Sequence, residues 1–210
     1  MLFGRKNLDL LPPQDTLPGR DAPILSPEPH AVHGRPIVPP WPEGLRDVVL
    51  GAGCFWGVER IYWELDGVWT TAVGYGGGQT PNPTYTEVCS GQTNHAEVTL
   101  VVYDPRAISF EQLLVPFWEQ HDPTTAMRQG NDVGTQYRSQ IQVADADERA
   151  VAEASRDRYQ ALLTETGHGE IVTEIVDRQP FYYAEAEHQQ YLHHHPNGYC
   201  NHGLCQVRYA

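Results

Sequence analysis

The passage from Asp47 to Leu65 restricts the fold more than any other part of the chain. Asp47-Val48-Val49-Leu50 is a short apolar run that stops at Gly51-Ala52-Gly53, the pattern of a strand ending in a turn. From Cys54 the period changes. Val58, Ile61, Tyr62 and Leu65 fall at i, i+3, i+4 and i+7, one face of an amphipathic helix that Asp66-Gly67 terminates. A strand feeding directly into a helix has two apolar surfaces to cover, which calls for a layered fold. The rest of the chain supplies the layers. Strands are expected at Val68 to Tyr75, His95 to Tyr103, Arg138 to Val143 and Glu170 to Val176. Helices are expected at Ser109 to Gln120, with Ser109 as N-cap, at Asp145 to Thr166, and at Ala184 to His194. Gly76-Gly77-Gly78 and Pro81-Asn82-Pro83 break the chain into a loop, and His121 to Gln136 reads as a second, long polar loop. The expected fold class is α+β: a two-layer sandwich of one mostly antiparallel mixed sheet covered by helices, around a ferredoxin-like core.

Three segments differ in texture. Ten of the 17 prolines precede Glu43, and residues 1–45 show neither helical nor strand period. Proline fixes φ and removes a donor, so this stretch reads either as an extended arm or as a disordered tail. Leu17, Ile24, Leu25, Ile37 and Val38 would let an arm lie along the domain. Residues 46–195 form the expected catalytic domain, and residues 196–210 a mobile tail built on Pro196, Gly198 and Gly203.

A formal net charge of -13 disfavours binding to nucleic-acid phosphates or an anionic membrane. No apolar run approaches membrane-spanning length, and Met1 to Asp15 has no apolar stretch after its basic residues. A cytoplasmic location is therefore expected. In that reducing setting the four cysteines, Cys54, Cys89, Cys200 and Cys205, are expected to be catalytic, metal-binding or simply buried rather than permanently bridged.

Cys54 occupies the strand-to-helix junction. The first N–H groups of a helix lack intrahelical partners and carry partial positive charge, which favours a thiolate. A free thiol titrates near about 8.5, and lowering that by about 1.5 takes roughly 2 kcal/mol, within reach of a partly buried helix terminus. A small core residue is the competing reading. A dinucleotide-binding loop is a third, since Gly51-x-Gly53-x-x-x-Gly57 is glycine-rich. It fails because Cys54, Phe55 and Trp56 fill the space where backbone would approach a pyrophosphate, and no acidic residue ends the next strand.

Gly53-Cys54-Phe55-Trp56-Gly57 resembles the signature of the A-class peptide methionine sulfoxide reductases. The resemblance continues through Gly74-Tyr75-Gly76-Gly77-Gly78, Pro83-Thr84-Tyr85, Val88-Cys89-Ser90-Gly91, His95-Ala96-Glu97-Val98, Gln129 to Ser139 and Ala186 to Leu192, over about residues 45–200 and in the family order. It implies reduction of methionine S-sulfoxide, free or in proteins, by attack of Cys54 on the sulfoxide sulfur. It also implies that Glu97 is the acid, that Tyr85 and Tyr137 hydrogen-bond the sulfoxide oxygen, that Asp132 is a further polar site residue, and that Phe55 and Trp56 hold the substrate methyl group. Glu97 must then stay protonated at neutral pH, which needs a pKa raised by about 3, roughly 4 kcal/mol of desolvation. The same apolar pocket should raise Cys54, so the two titrations are expected to be coupled.

Oxygen transfer leaves a sulfenic acid that a second thiol must reduce. By the resemblance, Cys200 resolves first and Cys205 then carries the disulfide outward to thioredoxin, although direct resolution by Cys205 stays open. Cys89 is expected to be structural. The resemblance implies no cofactor beyond the external dithiol, and a monomer is expected. Two other readings remain. His193-His194-His195, Cys200, His202 and Cys205 could form a zinc module, without the paired spacing usual for one. A thiol peroxidase or cysteine hydrolase would also use a reactive Cys54.

Overall fold

The glycine-closed run is a central strand of the sheet. The computed structural model describes residues 8–25, 27–203 and 207–209. In chain order they form β1 (Arg46–Ala52), α1 (Phe55–Trp63), β2 (Val68–Gly76), α2 (Tyr85–Cys89), β3 (Ala96–Tyr103), α3 (Phe110–Gln120), β4 (Arg128–Gln129), β5 (Asp132–Val133), β6 (Ser139–Val143), α4 (Ala146–Glu165), β7 (Glu174–Asp177), β8 (Tyr182–Tyr183) and α5 (Tyr191–His194). The six-stranded sheet has the order β7-β6-β1-β3-β2-β8. All its pairs are antiparallel except β6 with β7, which α4 joins as a crossover. Its inner four strands and the helices between them are the expected ferredoxin-like α+β core.

Alternation along β1 divides the two faces. Val48 and Leu50 point to the helical layer with Val101, Tyr103, Ile141 and Val143, and meet Tyr62, Leu113, Leu114, Phe117, Trp118, Tyr159 and Leu163. Val49 points the other way with Val98, Leu100 and Val102. Among the described residues no α-helical layer covers that second face. Ile37, at 2% exposure, packs against it with Leu25, Val38 and Trp41, so residues ahead of β1 cover it. Every residue of β3 is therefore buried, on both faces.

Local signals set most helix ends. Ser109 and Gln112 form a capping box at α3, and Asp145 accepts from Glu148 N–H at the start of α4. A second box, Thr84 with Glu87, starts α2 directly after Pro81-Asn82-Pro83, where no helix was expected. The expected loop from His121 to Gln136 contains the β4–β5 hairpin, which turns at Gly130 with φ +56°. The single helix expected over Ala184 to His194 is absent. A 3-10 turn, Ala186–His188, is separated from α5 by Gln190 in the left-handed region. The Gln189 carboxamide accepts from Val73 N–H at 2.9 Å and donates to Val73 C=O at 2.9 Å. It thus stands in for a neighbouring strand, and a continuous helix could not make that pair. Likewise β7 begins at Glu174, not Glu170.

Candidate active site

Gly53 turns the chain with φ +93°, and a Cβ there would strike the Gln129 side chain at 2.6 Å. This close turn sets Cys54 as the N-cap of α1, 6% exposed. The backbone N–H groups of Trp56 and Gly57 hydrogen-bond its sulfur and favour the thiolate. Burial and the nearby Glu97 and Asp132 carboxyls oppose them and prevail, so the thiol lies well above its usual range. The helix terminus offsets only part of the desolvation.

Glu97 reaches the same point from β3. It sits opposite Tyr75 of β2 and is 1% exposed. Its Oε2 accepts from Phe55 N–H at 3.2 Å, while Oε1 is buried without a hydrogen-bond partner among the described residues. Burial first, and Asp132 to a lesser degree, push its pKa up to about 8 against the lowering effect of the Phe55 N–H. The carboxyl is thus mostly protonated at neutral pH and has a proton to donate.

Tyr85, Tyr137 and Asp132 complete the polar side. Burial first, and the Glu97 carboxyl once it ionises, raise both phenols above their ordinary range, so both remain donors. The Tyr85 side chain also hydrogen-bonds Cys89, one turn along α2. Tyr137 ends a 3-10 turn and lies within the field of Glu97, Asp132 and Cys54. Asp132, on the β4–β5 hairpin, accepts from Tyr199 Oη–H at 3.1 Å, and its Oδ2 is buried without a partner among the described residues.

An aromatic wall stands beside this polar set. Tyr85 lies against Phe55, Trp56 and His188, with centroids at 6.4, 6.5 and 4.5 Å. Trp56 stacks on Tyr191 at 4.0 Å, and its Nε1–H donates to His188 Nδ1 at 3.3 Å. Burial lowers the His188 pKa, keeping it an acceptor. His188 and Tyr191 received no role from the sequence, although both lie in the Ala186 to Leu192 motif. Glu59 was missed as well. This buried α1 carboxyl accepts from Thr71 Oγ1–H and from the Gln190 N–H and Nε2, at 3.0, 2.8 and 2.8 Å. Burial raises its pKa to about 7. His30, from the segment ahead of β1, extends the chain of bonds through Thr71 at 2.9 Å.

Residues 199–202 close over the first turn of α1. A Cβ on Gly57 would overlap His202 Nδ1 and come within 2.9 Å of Cys200 Sγ, so only glycine admits this segment. Arg60 Nη2 donates to Cys200 Sγ at 3.4 Å. Cys205 lies outside the described residues. His193, His194 and His195 are exposed, and Cys200 faces a guanidinium. Among the described residues, no three His, Cys, Asp or Glu side chains gather as metal ligands.

This constellation pairs a buried thiol with a protonated carboxyl, two phenol donors and an aromatic wall. The model of the family described as peptide methionine sulfoxide reductase matches residues 46–209. The chain belongs to this family. It is 59% identical over 204 residues to the peptide methionine sulfoxide reductase MsrA of Methylobacterium nodulans, covering 97% of this chain and 92% of that one. The solved methionine sulfoxide reductase A of Corynebacterium diphtheriae superposes with a TM-score of 0.84 at 46% identity, covering 91% and 93% of the two chains. Reduced Mxr1 from Saccharomyces cerevisiae gives 0.70 at 33% identity, covering 80% and 94%, and Mxr1 has also been solved in complex with Trx2. The protein is accordingly an oxidoreductase that reduces methionine sulfoxide. Among its described residues no helix is long and apolar enough to cross a membrane.

Proposed function

We propose that Cys54 is the nucleophile and Glu97 the acid of this peptide methionine sulfoxide reductase, acting on the S epimer in free or protein-bound methionine. The observation that carries the reading is a carboxyl with a pKa of about 8 facing a thiol at the helix N-cap. The Cys54 sulfur attacks the sulfoxide sulfur. Glu97 gives its proton to the oxygen and takes the one released by the thiol. The Tyr85 and Tyr137 phenols donate to the oxygen as charge develops on it. Oxygen passes to Cys54, which becomes a sulfenic acid, and methionine leaves. Phe55 and Trp56, with His188 and Tyr191, hold the methyl group. Asp132 keeps the negative field that sustains the Glu97 proton.

Cys200 then attacks the Cys54 sulfenic acid, giving a disulfide and water, and Cys205 exchanges into that disulfide to free Cys54. A thioredoxin-type dithiol reduces the resulting Cys200–Cys205 pair, and the complex of Mxr1 with Trx2 supports a partner of that kind. The cycle balances with this dithiol and no other cofactor. We further propose a cytoplasmic monomer in which residues 1–45 act as an arm and residues 196–210 as the thiol-carrying tail. Single-turnover reduction tests the scheme. Cys54→Ser should release no methionine, whereas Cys200→Ser and Cys205→Ser should each release one equivalent and then slow with thioredoxin. Methionine release by Cys54→Ser would overturn it.

A further inference from the structure

His202 is the second side chain set against Gly57, and its surroundings define its chemistry. Its Nε2 lies 3.1 Å from the Ala52 carbonyl at the end of β1. A carbonyl only accepts, so Nε2 carries the ring hydrogen and Nδ1 is left as the acceptor. Burial holds the ring pKa down at about 4, so the imidazole is neutral at pH 7 and Nδ1 is bare. Cys200 Sγ lies 4.0 Å from that nitrogen. The Arg60 guanidinium approaches the same sulfur at 3.4 Å.

The segment is pinned on both sides of the ring. Asn201 Nδ2 donates to Gln129 C=O at 2.9 Å, and Gly203 N–H donates to Gln120 C=O at 2.8 Å. A thiol held between a bare imidazole nitrogen and a guanidinium, with the imidazole oriented by an acceptor on its far side, is the arrangement that activates cysteine nucleophiles. Nothing in the proposed attack on the sulfoxide uses it.

We propose that His202 is the general base of the resolving step: its Nδ1 takes the Cys200 thiol proton while Arg60 stabilises the thiolate. This rests on Cys200 being the first resolving thiol. The Cys200 sulfur attacks the Cys54 sulfenic sulfur and an S–S bond forms. The Cys54 S–O bond breaks, and the departing hydroxide leaves as water with the proton from Nδ1. Cys200 is oxidised by one electron equivalent and the sulfenic sulfur is reduced by one, so the step needs no outside reagent. Because the ring is a weak base, it holds the proton only while the hydroxide departs.

The test is rapid-quench single turnover on the full chain in a Cys205→Ser background, where the first disulfide accumulates. Methionine release, dimedone-trapped sulfenic acid and the Cys54–Cys200 disulfide are read from the same samples. Relative to methionine release, disulfide formation should slow about 10²-fold in His202→Ala, the usual weight of a general base. Sulfenic acid should accumulate, and added imidazole should restore part of the rate. His202→Asn, which keeps a polar side chain but no base, should be slow as well. Disulfide formation at the parent rate in either variant overturns the proposal. So does slowing that imidazole does not relieve, which assigns the ring to packing. Cys200→Ser in the same background separates the two levels. A Cys54 disulfide formed without Cys200 would refute the reading of Cys200 itself, whatever His202 does.

Discussion

Replacing Glu97 by glutamine should make the protein more stable and less active. Glu97 titrates at about 8 in the folded chain against 4.5 when unperturbed, because burial penalises its ionised form. The folded state therefore binds a proton that the unfolded state has lost between those values. Stability is fully present below pH 4.5 and falls as pH rises through 8. At pH 7 the deficit is about 1.36 × (7 − 4.5), or roughly 3 kcal/mol, and at pH 5 it is about 0.7 kcal/mol. Glutamine is close in shape, can still accept from Phe55 N–H, and has no proton to lose. At about 2–4 °C per kcal/mol for a chain of this size, Glu97→Gln should raise Tm by roughly 6–12 °C at pH 7 and much less at pH 5. Sulfoxide reduction in single turnover should fall about 10²- to 10⁴-fold for loss of the acid. Thermal unfolding by circular dichroism at the two pH values, beside the activity assay, decides the matter. A Tm unchanged at pH 7, or a gain equal at both pH values, would refute the account of a carboxyl held neutral by burial.

Gly57→Ala should displace residues 200–202 from α1, since its Cβ would overlap His202, and steady-state turnover with thioredoxin should fall about tenfold or more while the intrinsic helix preference for alanine returns only about 1 kcal/mol. Thiol counting after one sulfoxide equivalent should find the Cys54–Cys200 disulfide delayed. Gln189→Ala should leave Val73 N–H unpaired, while Val73 C=O keeps the Ala184 N–H at 3.1 Å, and cost about 1–3 kcal/mol in urea unfolding, with KM rising as His188 and Tyr191 lose their mooring. Ile37→Ala should cost about 2–4 kcal/mol if the segment ahead of β1 is part of the core, and an effect near zero would show that it is not.

Where local chemistry decides, the chain was readable. The β1–Gly53–α1 junction, the Ser109 cap and the Asp145 cap all follow from neighbours within four residues, and Cys54, where the period changes, is the N-cap of α1, which ends at Trp63 rather than Leu65. The Thr84-x-x-Glu87 box was legible by the same rule, and α2 follows from it. Elsewhere distant partners override local pattern. Ala184 to His194 has helical composition, but Gln189 pairs with Val73, 116 residues earlier, and that bond is incompatible with a continuous helix. Alternation along β3 identified its two faces and could not show that both are buried, because the cover on one comes from Ile37 and its neighbours. Glu59, His188 and Tyr191 carry no individual signal, and only packing gives them their contacts.

The residues alone thus settled the types and order of the main elements, and that Cys54 stands at a helix start while Glu97 lies on a strand. Which of these groups carry protons, and which side chains surround each sulfur, only the tertiary structure decided. Phe55 meets Glu97 across 42 positions of sequence, and His202 meets Ala52 across 150. A proton's affinity depends on the water excluded and the charges brought near, and both are set by segments that come together only when the chain folds.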